Sequence, residues 1–276
     1  MSMASDQRSD AMYQNLDQAT TDRLAQLVQS LDFFTTQPDI MHAKEVMLDL
    51  LALEPGQTVL EAGCGLGDDA QELSAQVAPG GNVIAVDISE AIIDLARDRA
   101  TERSEFVTYE VGDLLSLRFD DGTFDAVRCG ATLEWVEDAE RAFAELLRVL
   151  KPGGRLVVGA ADHGARILGA GDPVALDVLF QQQLAQAPNP TLARSLPKWF
   201  RDSGLREIAV RGVLVMIDSA SLEWHPQRQG QLDGLLKDGL ITAAVHQEML
   251  AESARAFATH TAYQIGVVII VAGVKP

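Results

Sequence analysis

A doubly wound, mostly parallel α/β sheet is what this 276-residue sequence predicts. Three observations carry it. Short apolar runs alternate with amphipathic helical stretches from about residue 58 to about residue 162. The first of those runs opens into a loop of closely spaced glycines, VLEAGCGLG. The joints between elements are marked by Pro-Gly and Gly-Gly pairs, as in PGGN and KPGG. Strands separated by helices of this length form parallel sheets covered on both faces.

In chain order, apolar residues recur at helical spacing from Met12 to about Leu31 and again from about Ile40 to Leu53, where Glu54-Pro55-Gly56 stops the second stretch. TVLEAG then reads as a strand and DDAQELSAQVA as a helix. VIAVDI is a second strand, and Ser89 caps the helix that follows it. SEFVTYEVGD holds a third strand, FDAVRCG a fourth, and DAERAFAELLRVL an amphipathic helix ending at KPGG. RLVVGAAD, ending at Asp162, is the fifth. Beyond it the pattern loosens into helical stretches, a strand REIAVRGVLVMI, two further helices within 228–258 and a closing strand in TAYQIGVVIIVAGVKP. The expected architecture is a Rossmann-like sheet of parallel strands with one antiparallel late strand. Residues 1–53 form helices over the site, and 54–276 form the α/β domain, with helical lid insertions at about 166–203 and 222–258.

The bulk numbers exclude some partners. A net charge of −18 is repelled by phosphate backbones, so nucleic acid and anionic membrane surfaces are not expected. The two cysteines, Cys64 and Cys129, form no CxxC pair, so no metal site is expected. The first residues lack the apolar core of a signal peptide, and IGVVIIVAGV is too short to span a bilayer. A cytoplasmic protein acting on a small molecule is the expectation.

The glycine loop narrows the ligand. A dinucleotide site wants G-x-G-x-x-G, and counting from Gly63 the third glycine position is Asp68. Gly63, Gly65 and Gly67 instead give G-x-G-x-G. Asp68 and Asp69 at the helix start disfavour a second anion there. S-adenosylmethionine has an adenine, a ribose, an amino acid and a sulfonium, but no phosphate. Acidic strand ends suit it: Glu61 ends the first strand, Asp87 the second, where it can accept from ribose hydroxyls, and Asp113 follows the third, where it can accept from the adenine amino group.

With these segments in order, the chain resembles the class I S-adenosylmethionine-dependent methyltransferases, of the small-molecule type similar to the ubiquinone and menaquinone C-methyltransferases. VLEAGCGLG, VIAVDIS, VGDLL, FDAVRCGATLEWVED and ELLRVLKPGGRLVV carry the resemblance over about residues 40–160. It implies that Gly63, Cys64 and Gly65 pass the methionine part of the cofactor and that Glu61 supports that loop. It implies Asp87 on the ribose, Ile88 against the adenine, and Gly112, Asp113 and Leu114 around the adenine edge. Cys129 and Gly130 would pass the cofactor with their backbones. One segment departs from the family: where a histidine pair often follows the fourth strand, this chain has TLEWVED.

On the acceptor side, Glu134 lies where a substrate would meet the methyl group, and His163, after the fifth strand, is the candidate general base. The plainer alternatives are a solvated Glu134, a packing Trp135 and a structural His163. Trp199 and Phe200 recur with Leu196 at helical spacing and read as core. The function expected is methyl transfer from S-adenosylmethionine to a small hydrophobic or aromatic molecule in specialised metabolism. Two alternatives keep the cofactor without the transfer: a cyclase or rearrangement enzyme, and a cofactor-sensing binding protein.

Overall fold

A computed structural model describes residues 16–100, 106–169, 173–185, 187–218 and 224–276. Its sheet has seven strands: β1 (Thr58–Ala62), β2 (Asn82–Asp87), β3 (Val107–Val111), β4 (Phe124–Gly130), β5 (Leu150–Leu168), β6 (Arg206–Asp218) and β7 (Tyr263–Val274). They lie in the order β3-β2-β1-β4-β5-β7-β6. β1 to β5 run parallel, and β7 runs antiparallel to both β5 and β6. The chain direction across the sheet reverses between β1 and β4, and a ligand crevice forms beyond the carboxyl ends of strands at such a reversal.

The apolar strand runs follow from burial on both faces. Val59 and Leu60 are adjacent in β1, point to opposite faces, and are both fully buried. Leu60 belongs to a core with Phe124, Leu146 and Leu156, under α5 (Ala139–Val149). Val59 belongs to a core with Leu51, Leu73 and Ile93, under α2 (Pro38–Leu51), α3 (Asp68–Val77) and α4 (Glu90–Ala100). Ser89 caps α4 as expected, its Oγ accepting from Ile92 N at 3.3 Å.

The N-terminal segment is fastened to the β1–β2 half. α1 (Thr21–Thr35) is capped by Thr20, and a short 3-10 turn, Leu16–Gln18, precedes it. The expected helix start at Met12 lies outside the described residues. Asp32 takes both guanidinium branches of Arg99 at 2.6 and 2.9 Å. Asp17 accepts from Ser89 Oγ at 2.7 Å and from Ala91 N at 3.1 Å. Leu16 and Leu27 pack with Ile92 and with Leu66 of the glycine loop.

Two expectations need correction. The fifth strand does not end at Asp162. It continues to Leu168 through a register shift, pairing Ile167 with Ile265 and Leu168 with Gln264. The long antiparallel partner β7 supplies the ladder, which the polar stretch DHGAR concealed. The stretch 166–203 is also not one unit, because α7 (Leu196–Asp202) packs into the sheet core. Leu196 and Phe200 are fully buried, and Phe200 meets Phe143 at 5.3 Å between ring centroids. By contrast α6 (Pro173–Leu184), α8 (Trp224–Lys237) and α9 (Ala243–Ala258) share a separate apolar cluster built on Leu179, Leu232, Leu235 and Met249. Among the described residues no helix is long and apolar enough to cross a membrane.

Phe200→Ala should therefore cost ~3–5 kcal/mol of global stability in chemical denaturation, the usual range for a buried aromatic truncation. A loss below ~1 kcal/mol would remove α7 from the core.

Candidate active site

The loop after β1 is held by its own strand neighbours. Gly63 N and Cys64 N donate to Val86 O at 2.8 and 2.9 Å, and Gly65 N donates to Asp87 Oδ2 at 3.0 Å. Gly67 has φ +87°, and a Cβ there would lie 2.6 Å from the Tyr109 ring. Tyr109 Oη also donates to Gly67 O at 3.2 Å. The early third glycine is thus required by an aromatic side chain of β3 packed against the helix start. Gly65 differs: at φ +51°, a Cβ there would meet nothing within 4 Å. A ligand can approach the backbone at that point.

Asp87, at the end of β2, accepts from Gly65 N and also from Ser89 N at 3.2 Å. Burial pushes its carboxyl above the ordinary range, against the pull of those backbone donors. Ile88 beside it is 62 % exposed, an apolar surface presented to the crevice mouth. Gly112 N donates to Asp87 O at 2.8 Å, and the exposed Asp113 accepts from Leu115 N at 2.8 Å. Val86, Val111, Gly112 and Asp113 line one cavity. Leu114 points the other way, into the core with Leu117 and Phe124. Cys64 and Cys129 are buried, and burial pushes both thiols up, so both are neutral at physiological pH. Gly130 O accepts from Thr132 Oγ1 at 2.9 Å, tying the end of β4 to the loop after it.

Behind the loop lies a charge network that the sequence reading missed. The β1–β4 register sets Glu61 directly opposite Arg128. Arg128 Nη1 donates to Glu61 Oε1, and Nη2 reaches Asp69 Oδ2 at 3.0 Å. Lys44 of α2 meets Asp69 Oδ1 at 2.8 Å. Glu61 and Arg128 are 1 % and 3 % exposed, so these charges depend on one another for solvation. Burial works against the Asp69 charge, but Arg128 and Lys44 overcome it and hold the carboxyl below its ordinary value. Burial pushes the Glu61 carboxyl up, and the Arg128 guanidinium bonded to it pulls the other way and favours the carboxylate. Among the described residues, Glu61 Oε2 is buried without a hydrogen-bond partner.

A second polar cluster forms at the ends of β4 and β5. Glu134 is buried, not solvated. Its Oε1 accepts from Ala161 N at 3.1 Å, while Oε2 has no partner among the described residues. Burial raises its carboxyl to about 7. Trp135 meets the His163 ring edge-on at 5.4 Å. Arg166 donates to His163 Nδ1 at 3.0 Å, so the neutral ring carries its proton on Nε2. That Nε2 is buried without a partner, and burial together with Arg166 lowers the ring to about 4. At neutral pH His163 therefore presents an N–H donor, and Glu134 is the group able to take a proton. The segment 189–194 fixes both: Asn189 donates to Val136 O at 2.6 Å, His163 N donates to Pro190 O at 2.9 Å, and Arg194 Nε bonds Asp162 Oδ2 at 2.6 Å.

Residues 60–158 match a family described as a methyltransferase domain. Over those residues the chain is similar to that domain. Two curated relatives are similar over part of the chain, the first of them described as uncharacterized. A 37.1 kDa protein of a Streptomyces fradiae transposon is 42 % identical over 135 residues, 49 % of this chain and 39 % of the relative. Demethylmenaquinone methyltransferase of Symbiobacterium thermophilum is 42 % identical over 105 residues, 37 % of this chain and 42 % of the relative. The chain thus spans about two fifths of the length of the curated relatives it matches. In fold it is similar to a Haemonchus contortus phosphoethanolamine N-methyltransferase solved with phosphomonomethylethanolamine and S-adenosylhomocysteine. The TM-score is 0.60 at 19 % identity, over 93 % of this chain and 58 % of that one.

The cluster of Glu134 and His163 should show two opposed pH slopes. His163 falls from 6.5 to about 4 on folding, so the unfolded chain binds the proton first. Stability present above pH 6.5 is lost as pH falls towards 4. Glu134 rises from 4.5 to about 7, so the folded chain binds the proton first, and stability is lost as pH rises from 4.5 to 7. In urea unfolding across pH, His163→Gln should flatten the first slope and Glu134→Gln the second. Profiles parallel to the parent would contradict the burial of either group.

Proposed function

We propose that this chain binds S-adenosylmethionine across the carboxyl ends of β1, β2 and β3 and transfers its methyl group to a small hydrophobic or aromatic molecule. One observation carries the cofactor reading: Glu61 keeps an unpartnered buried oxygen, beside a loop whose Gly65 is open to a ligand. An ammonium group suits the first and an amino-acid backbone suits the second. Asp87 lies hydrogen-bonded to that same loop, with exposed Ile88 next to it and Asp113 at the neighbouring strand end, where ribose and adenine would follow. Asp69 fits too, since its charge at the start of α3 disfavours a phosphate there.

When bound, the cofactor supplies an electrophilic methyl on a positively charged sulfur, which is an excellent leaving group. The protein's work is then to hold the acceptor in line and exclude water. On this reading Glu134 takes the proton that the acceptor loses, and the His163 N–H orients an acceptor oxygen. α6, α8 and α9, with the N-terminal helices, serve as the cover over the acceptor. The aromatic acceptor is supported by the relative named as a demethylmenaquinone methyltransferase and by the apolar content of those helices. The same reading places the protein in the cytoplasm.

Thermal unfolding with S-adenosylmethionine, S-adenosylhomocysteine and NAD should show stabilisation by the first two alone. A shift with NAD alone would reject the reading. Asp87→Ala should weaken cofactor binding by ~1.5–3 kcal/mol per charged hydrogen bond lost, and unchanged affinity would remove Asp87 from the site. Acceptor turnover should release S-adenosylhomocysteine in equal amount. Turnover without that product would instead support a cyclase or rearrangement enzyme.

A further inference from the structure

The charge network behind the glycine loop alternates in sign: Lys44, Asp69, Arg128, Glu61. It starts on α2, crosses the first turn of α3, and ends on β1 by way of β4. Arg128 is its pivot, because one guanidinium fork serves two carboxylates at once. A bonded Oε1 and an unbonded Oε2 leave Glu61 with one oxygen committed to the protein and one uncommitted.

We infer that Arg128 is a positioning residue for cofactor recognition: it fixes the Glu61 carboxylate so that Oε2 is kept for the α-ammonium of the cofactor's amino-acid end. This rests on the cofactor reading above and adds to it a residue with no contact to the ligand. The cross-strand register leaves Glu61 no exposed alternative, since both residues lie on the face buried under α2 and α3. Without the guanidinium, the carboxylate would lose its bonded partner and its fixed orientation, and Asp69 would lose the branch that spans to β4. The adenine and ribose contacts, at Asp113 and Asp87, share no bond with Arg128. The effect must therefore fall on the amino-acid end alone.

Two ligands separate the ends. S-adenosylhomocysteine carries the ammonium, and 5′-methylthioadenosine has the same adenine and ribose without it. Isothermal titration of both into the parent, Arg128→Met, Arg128→Lys, Glu61→Gln and Glu61→Gln/Arg128→Met distinguishes the cases. Arg128→Met should weaken S-adenosylhomocysteine ~10-fold or more, and leave 5′-methylthioadenosine within ~2-fold. Arg128→Lys, which keeps a charge but loses the fork, should show the same selective loss in smaller degree and serves if the Met variant fails to fold. The double variant should bind S-adenosylhomocysteine no more weakly than Glu61→Gln alone, since the two residues act through one contact. Equal weakening of both ligands, or independent losses that add in the double variant, would overturn the inference. A parent that binds neither ligand would reject the cofactor reading itself.

Discussion

The buried pairing of Glu61 with Arg128 is the constraint on which the rest of the site depends. Two charges side by side in the interior of a parallel sheet are costly to desolvate, and removing either strands the other. The fold answers with a second carboxylate, Asp69, and a second cation, Lys44, arranged so that every charge has an opposite neighbour. That arrangement sets the position of α3 against β4 and of α2 against α3. Once those are set, the glycine loop has little freedom. Tyr109 closes it from β3, and Asp87 holds it from β2.

The proposed cofactor half is braced from the N-terminal side of the chain, and the proposed acceptor half from the C-terminal side. Around Asp87 the contacts come from the β2–α4 turn and the glycine loop, and from the N-terminal residues Asp17 and Leu16, which brace them. Around Glu134 they are long-range: residues 189–194 reach back to the ends of β4 and β5 through Asn189 and Arg194. Two buried polar atoms there lack partners, Glu134 Oε2 and His163 Nε2.

This division explains what could be read in advance. The strand-helix alternation, the cap at Ser89, the acidic strand ends Glu61 and Asp87, and the open Gly65 are written within short segments, and the motif spacing exposes them. Arg128 is not, because its partners lie in β1 and α3, far back in the chain, and FDAVRCG reads only as a strand. An arginine between the apolar Val127 and Cys129, in the middle of the strand, was the available signal. Leu114 was placed at the adenine edge by its motif, but its side chain packs into the core. Between a Glu134 facing the substrate and a solvated one the sequence could not choose, because its burial goes with contacts to Ala161 and Asn189 that only the folded chain makes. The continuation of β5 past Asp162 was hidden in the same way, since β7 decides it.

A crystal structure with S-adenosylhomocysteine bound tests the central claim most directly. The account predicts the ligand's ammonium within hydrogen-bond distance of Glu61 Oε2, with Arg128 still bridging Glu61 and Asp69, and the ribose hydroxyls on Asp87. An ammonium held elsewhere, with Glu61 Oε2 still unpartnered beside Arg128, would contradict it.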